Sequence, residues 1–463
     1  MKHTYFRAKP VFSLLAVLLA GSLTACSAQG PGNPSASSKT DAALARAVYP
    51  QTAPYPNEED FTDPATGEIQ EAFYDTYDAW NADRRARLEA AEGYQDKLNH
   101  FLSKSIPELL SGPKGENRVY SPPNVYLALG MLAELTEGSS REQILDLLDA
   151  ASMEELRAEA GSLWNANYVN DGATSCILAS SLWLREDVSY VPATLKQLAD
   201  TYYTSSYQGE MGSEELNEAL RDWLNEQTGG LLEEQAQDLR LDKDTILALA
   251  STIYFRAKWS SEFAEGNTRP EVFHGPNQDL TCDFMHQSDS REYYWGNRFS
   301  ATAKNLESDG AMWLILPDEG ISAEELLKDN EVMDFLLARD AWENHEYLTV
   351  HLSVPKFDVA SNLDLISGLK ALGITDVFDE NASDFSPLTR ETEGLFVSRA
   401  DHAARVAIDE KGCIAAAYTV MAVCGAGAPP AEEVDFVVNR PFLFAITGGD
   451  GLPLFVGIVN VPS

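Results

Sequence analysis

The most constraining feature of this chain is a run of nineteen residues, Gly412 to Pro430, that carries no charge at all. It lies inside a chain of 463 residues with 34 Lys+Arg, 72 Asp+Glu and a formal net charge of −38. An exposed apolar loop invites association, so a run like this is expected to become buried at some point. A strand entering the middle of a sheet needs uncharged side chains on both faces, because alternate residues point to opposite sides. One alternating set here is Cys413, Ala415, Ala417, Thr419, Met421 and Val423, small near its start; the other is Ile414, Ala416, Tyr418, Val420, Ala422 and Cys424. No proline interrupts the ladder before Cys424. Gly412 is expected to give the root a backbone pivot. Tyr418 is the one bulky member, able to slow entry if its face is crowded.

The rest of the chain must supply a host for that strand. With 44% hydrophobic residues it has a sizeable core to build. The acidic balance excludes a phosphate-backbone partner, which needs clustered basic side chains, so no nucleic acid is expected. The five cysteines show no Cys/His ligand spacing, so neither a zinc site nor any cofactor is expected. His402 beside Cys413 or Cys424 does not make a nucleophile–base pair, since both cysteines sit in a segment expected to move and such a pair needs fixed geometry. The glycine cluster Gly448 to Gly451 lacks the lysine and helix of a phosphate loop and reads as a turn.

At the N-terminus, Lys2, Arg7 and Lys9 precede a short apolar run, Val11 to Ala20, which is the pattern of a secretory signal. The run ends in Leu23-Thr24-Ala25-Cys26, similar to a bacterial lipobox. That resemblance implies removal of residues 1–25, lipidation of Cys26, membrane attachment through the lipid alone, and a domain outside the cell on the bacterial envelope. Diacylation would supply the two acyl signals that lasting attachment needs. Ser27 to about Pro64 is rich in Ser, Ala, Pro and Gly and reads as a flexible tether. Ile69, Phe73, Tyr77 and Trp80 then recur at helical spacing, as in an extra helix docked before a domain of residues 85–463.

Within that domain, Leu98, Phe101, Leu102 and Ile106 form a helical stripe, and Asn124–Leu135 is apolar enough for a buried helix. Leu216–Leu232 is amphipathic, with Gly229-Gly230 as its stop. Ile246–Phe255 and Ala311–Leu316 read as central strands, and Thr349–Val354 as a strand leaving a sheet at Pro355. Phe442–Ile446 and Leu454–Val459 form a hairpin. Helices and mixed sheets in irregular order predict an α+β fold.

Two segments, DEKGCIAAAYT from Asp409 and VNRPFLFAI from Val438, strongly resemble the reactive-loop hinge and the C-terminal signature of the serpin family. Further matches follow the same order: SPPNVYLALGML from Ser121, LNEALRDWLNEQTGG from Leu216, LALASTIYFRAKW from Leu247, LILPDEG from Leu314, VPKF from Val354, LKALGITDVF from Leu369 and FVSRADHAARVAIDEKG from Phe396. Together they cover roughly residues 93 to 463. The resemblance implies three β-sheets surrounded by eight or nine helices, an exposed loop at about 410–430, and a monomer that is not an enzyme. It also implies inhibition of a serine protease, or of a papain-like cysteine protease, as a suicide substrate.

Counting Glu410 as the first loop residue and the scissile residue as the seventeenth puts the attacked bond at Ala426–Gly427, within a window from Val423 to Ala428. Its small residues favour an elastase-like or subtilisin-like protease over a trypsin-like one, whose charged pocket would gain nothing. The hinge is then Glu410, Gly412, Cys413, Ala415, Ala416, Ala417 and Thr419. The resemblance further implies a salt bridge between Lys356 and Glu410, and a network of Asn124, Ser251 and His402 beneath the opening sheet. Cys413 stands where relatives usually have Thr or Ser, and as a small hydrophobe it should enter readily. The alternative is a non-inhibitory surface lipoprotein of the same fold that acts as a binding module.

Overall fold

The structure, a computed structural model, describes residues 43–90, 93–237, 239–307, 310–391, 394–413, 430 and 432–462. Strands and helices are numbered along the chain. The first sheet runs, edge to edge, β1 (Ala43–Ala45), β5 (Thr204–Gly209), β4 (Ser175–Arg185), β6 (Leu247–Lys258), β14 (Gly412–Cys413), β13 (Asp401–Ile408) and β12 (Phe357–Asp364), with β3 (Val169–Asn170) paired to β4. The second runs β15 (Glu433–Val437), β11 (His345–Pro355), β8 (Asp279–Trp295), β9 (Phe299–Asn305), β10 (Ala311–Pro317), β16 (Phe442–Thr447), β17 (Pro453–Val459) and β2 (Arg118–Tyr120), with β7 (Arg269–His274) paired to β8. β8, at 17 residues, pairs with β7 along its first six residues and with β9 at its end. It thereby fuses two of the three expected sheets into one continuous ladder.

Seven helices of ten or more residues are described: α1 (Glu71–Ala90), α2 (Tyr94–Leu109), α3 (Pro122–Leu135), α4 (Gly138–Leu147), α5 (Met153–Asn167), α6 (Pro192–Tyr202) and α7 (Glu214–Gln227). The α+β class follows. The stripe Leu98, Phe101, Leu102 and Ile106 is buried along α2, as its spacing predicts. α3, apolar nearly all round, is buried on almost every side because it packs against α4, α5, α6 and β6 at once. α7 stops at Gln227, and Gly229 and Gly230 follow at φ 58° and 78°, a conformation that costs glycine little. The C-terminal hairpin forms as expected, with Phe442 opposite Val459.

One expectation needs correction. Ser27–Pro64 reads as a flexible tether, yet from Ala43 onward the chain is docked on the domain. β1 adds to the free edge of β5, the Tyr55 N–H bonds to the Asp171 carbonyl at 2.8 Å, and Thr52 Oγ1 donates to the Asn170 carbonyl at 2.7 Å. Low-complexity composition hid a strand pairing and two hydrogen bonds that need no periodic apolar face. The signal segment and Cys26 lie outside the described residues.

Candidate functional site

The uncharged run begins where β13 ends, at a tight turn. Asp409 folds that turn by accepting the backbone N–H groups of Lys411 (2.8 Å) and Gly412 (3.1 Å) on one carboxylate oxygen, the usual role of Asp in a turn. The turn is pinned from outside by the end of β6 and the segment after it. Trp259 donates its ring N–H to the Asp409 carbonyl (2.8 Å) and its backbone N–H to that of Lys411 (3.0 Å), and the Phe263 N–H reaches the Glu410 carbonyl (2.9 Å).

The predicted ion pair is present. Lys356 Nζ lies 2.7 Å from Glu410 Oε1, which also accepts Thr268 Oγ1 at 2.8 Å. Burial pushes the Glu410 carboxyl up, but the hydrogen bonds from Lys356 and Thr268 and the lysine charge outweigh it and hold it below the usual value. Lys356 can reach because it is the single residue between β11, in the second sheet, and β12, in the first. Its own N–H is fixed to the Asp283 carbonyl at 2.8 Å. The pair thus ties the loop root to the point where one sheet hands over to the other.

Beyond the turn, Gly412 and Cys413 enter the first sheet. Gly412 pairs with Lys258 and Cys413 with Ala257 on β6, and Cys413 pairs with Ile408 on β13; both ladders are antiparallel. Among the described residues no ladder joins β6 to β13 directly. The start of the uncharged run therefore occupies a seam between the two central strands. Gly412 is required there for space. A Cβ at this position would fall 2.3 Å from the Ala257 carbonyl oxygen. Cys413 is buried, lining a small cavity with Phe255, Val406, Ile446 and Phe455, and burial pushes its thiol pKa up. A buried neutral thiol of this kind is inert as a nucleophile.

The trio expected beneath the sheet is present but does not form one network. Asn124 Nδ2 donates to the Ser251 carbonyl at 3.2 Å, and Ser251 Oγ lies 3.3 Å from Ser180 Oγ. His402 instead accepts the Ser121 backbone N–H on Nε2 at 3.0 Å, with Tyr120 edge-on to its ring at 5.5 Å. The seam explains the division: Ser251 is on β6 and His402 on β13, strands that share no ladder here. Burial pushes the His402 pKa down to about 4, so the ring is neutral and carries its proton on Nδ1. Ser180, Ser121, Thr268, Asp409 and Trp259 are site residues that the sequence reading missed. Of these only Trp259, the bulky end of an apolar strand, left a signal. Ala415, Ala416, Ala417, Tyr418, Thr419, Cys424, Ala426 and Gly427 lie outside the described residues.

The comparisons with known proteins agree with this geometry. The model of the family described as Serpin (serine protease inhibitor) matches residues 96–462. Alpha-1-antiproteinase 2 of Equus caballus is 30% identical over 357 residues, 75% of this chain and 82% of the relative. Among solved structures, the thermophilic serpin tengpin in its native state is similar with a TM-score of 0.69 and 24% identity, covering 79% of this chain and 94% of that one. Human thyroxine-binding globulin in complex with thyroxine gives 0.69 and 20%, covering 81% and 100%. Members of this family are mostly protease inhibitors and not catalysts. With the family model spanning nearly the whole described domain, and a loop root seated between two central strands, the chain belongs to the serpin family.

Proposed function

We propose that this serpin is a suicide-substrate inhibitor of serine proteases with an elastase-like or subtilisin-like preference, its bait bond being Ala426–Gly427. The observation that carries the reading is the seam. Gly412 and Cys413 sit between β6 and β13, and the residues that follow carry no charge that would oppose continued entry. A fold shared with a thyroxine-binding protein does not separate inhibition from binding; the seam and the uncharged run favour inhibition.

In the covalent step the protease serine Oγ attacks the Ala426 carbonyl carbon. The new ester C–O bond forms as the C–N bond breaks, and the Gly427 amine leaves with a proton supplied by the protease histidine. Freed at one end, the loop extends from Cys413 into the seam, antiparallel to both neighbours. Continuing the Cys413 register puts Ala415, Ala417 and Thr419 opposite Val406, Ala404 and His402, on the buried face. Tyr418 then falls on the other face, opposite the half-buried Ala403 and the buried Thr252, so its bulk has to be accommodated beside Thr252 as the loop enters. Displacing the tethered protease before water reaches the ester traps the complex, which requires a metastable starting state protected by a barrier.

We further propose that Cys26 is lipidated and holds the domain at the outside of a bacterial envelope, where it acts as a monomer on proteases it meets there. A papain-like cysteine protease would react by the same route through a thioester.

The test is to mix the purified protein with an elastase-like and with a trypsin-like protease and resolve the products on a denaturing gel. An SDS-resistant band at the summed mass with the first enzyme only, and a released fragment beginning at Gly427, is the expected result. Clean cleavage without that band, across proteases that cut the loop, would demote the protein to a binding role. Labelling with a fatty-acid precursor, lost in Cys26→Ala, checks the anchor.

A further inference from the structure

Residues 43–90 precede the segment matched by the family model, yet they make specific contacts with it. β1 pairs antiparallel with β5, Ala43 opposite Tyr207 and Ala45 opposite Ser206, and the Ala47 N–H donates to Ser205 Oγ at 3.1 Å. Two residues later the Tyr49 ring stacks on three others: Trp164 at 5.9 Å, Tyr168 at 5.6 Å and Tyr203 at 6.0 Å. Trp164 itself stacks on Tyr168 at 4.3 Å and on Tyr203 at 3.7 Å. Farther on, Asp171 is a second hub. Its backbone carbonyl takes the Tyr55 N–H, and its carboxylate takes Trp80 Nε1 at 3.2 Å and the N–H groups of Ala173 and Thr174. Arg87, near the end of α1, donates to the Tyr168 carbonyl at 3.2 Å.

The partners of these contacts belong to two different parts of the fold. Trp164 lies in α5 and Tyr168 directly follows it; α5 packs on α2 and α3, the helical body, and also meets α6 and β4, where Trp164 Nε1 donates to the Leu178 carbonyl at 3.2 Å, a contact to which Tyr49 adds. Tyr203 joins α6 to β5, and Asp171 leads into β4, so both belong to the sheet half β5-β4-β6 that borders the seam. Tyr203 ends α6 in a left-handed cap, φ 51°, with its N–H bonded to the Leu198 carbonyl, which fixes where its ring points. A strand taken into the seam needs a gap of two strand spacings between β6 and β13, about 9.6 Å. Adjusting that gap moves the β5-β4-β6 half relative to the helical body, across the junctions that Tyr49 and Asp171 bridge.

We propose that residues 43–55, seated by Tyr49, form a built-in clamp that joins the helical body to the sheet half and slows movement at the seam, so that unseating it shortens the lifetime of the active state. The clamp lies downstream of the proposed anchor, so a cut between Ala43 and Tyr55 that unseats it would be an inactivating event for the domain. The lifetime argument rests on the inhibitor reading above, whereas the mechanical coupling does not.

The test compares the full chain with its Tyr49→Ala and Tyr49→Phe variants. Hydrogen exchange in β4 and β5 reports the coupling without requiring inhibition, and the half-life of complex-forming activity at raised temperature reports the lifetime. Losing one partly buried ring from the stack predicts exchange and inactivation about tenfold faster in Tyr49→Ala. Tyr49→Phe, which keeps the ring, should behave as the parent, and a synthetic peptide of residues 43–57 added to Tyr49→Ala should restore slow exchange. Faster exchange in a protein that traps no protease would uphold the clamp and overturn only the inhibitor reading. Exchange in Tyr49→Ala within twofold of the parent, or Tyr49→Phe as fast as Tyr49→Ala, would overturn the clamp.

Discussion

In a Gly412→Ala variant the new Cβ would lie 2.3 Å from the Ala257 carbonyl oxygen and 2.9 Å from Lys258 Cα. Both are backbone atoms of β6, so no side chain can swing aside to make room. Relief to 3.0 Å demands a shift of roughly 0.7 Å, in a turn already fixed by the Asp409 carboxylate and by Trp259. Overpacking of this kind typically costs about 1–3 kcal/mol. The cheapest escape is for Gly412 and Cys413 to withdraw from the seam, which gives up their ladders to β6 and β13. Insertion must then restore the clash, and the same 1–3 kcal/mol slows it about five- to 150-fold. Hydrolysis of the acyl-enzyme is untouched, so the reaction partitions toward cleaved inhibitor and free protease. The assay is the ratio of SDS-resistant complex to cleaved chain at fixed protease, together with a urea unfolding curve that separates withdrawal from global unfolding. A ratio within twofold of the parent, with the urea midpoint also unchanged, would refute the argument that this glycine exists for space.

Three further outcomes are expected. Lys356→Met should lower stability by about 1 kcal/mol at neutral pH, since the pair is partly exposed. Because the Glu410 pKa is held below its ordinary 4.5, that contribution is complete above this value and fades as pH falls through the lower folded value, so parent and variant unfolding curves should converge in acid. His402, buried and neutral with a pKa near 4 against 6.5 when unfolded, binds a proton only in the unfolded state between those values. Stability should therefore fall with decreasing pH across that window, by roughly 3 kcal/mol at pH 4, and His402→Gln should flatten the slope. Finally, Ala417→Arg should convert the protein to a substrate, because continuing the register would turn residue 417 to the Val406 and Ala404 face, whereas Tyr418→Ala, which relieves bulk on the opposite face beside the buried Thr252, should leave complex formation intact or speed it; loss of complex in both, read on the same gel, would mean that the register slips.

Much of the domain is legible in the order of its residues because the signals are local. The α2 stripe, the apolar α3, the glycine stop after α7 and the C-terminal hairpin each report a period or a turn chemistry that acts over a few residues. The Lys356–Glu410 pair was also within reach, through the resemblance of VPKF and DEKG to a family pattern. The docked segment after Ala43 was not, because Tyr49 gains its partners from α5 and the α6–β5 junction, more than a hundred residues away. The division of the trio was equally hidden. Asn124, Ser251 and His402 carry a complete set of donors and acceptors, and their chemistry is silent about which of them meet.

The lack of charge from Gly412 to Pro430 is a property of the residues themselves, and it suffices to make the run fit for burial in a sheet. Where the run enters is a property of the fold: Asp409, Trp259 and Phe263 aim the turn at the seam between β6 and β13. The need for glycine at 412 likewise arises from a β6 carbonyl 155 residues earlier in the chain. Composition and period act between neighbours along the chain, whereas close approach, seam position and the partner of a buried polar group depend on which distant segments packing brings together.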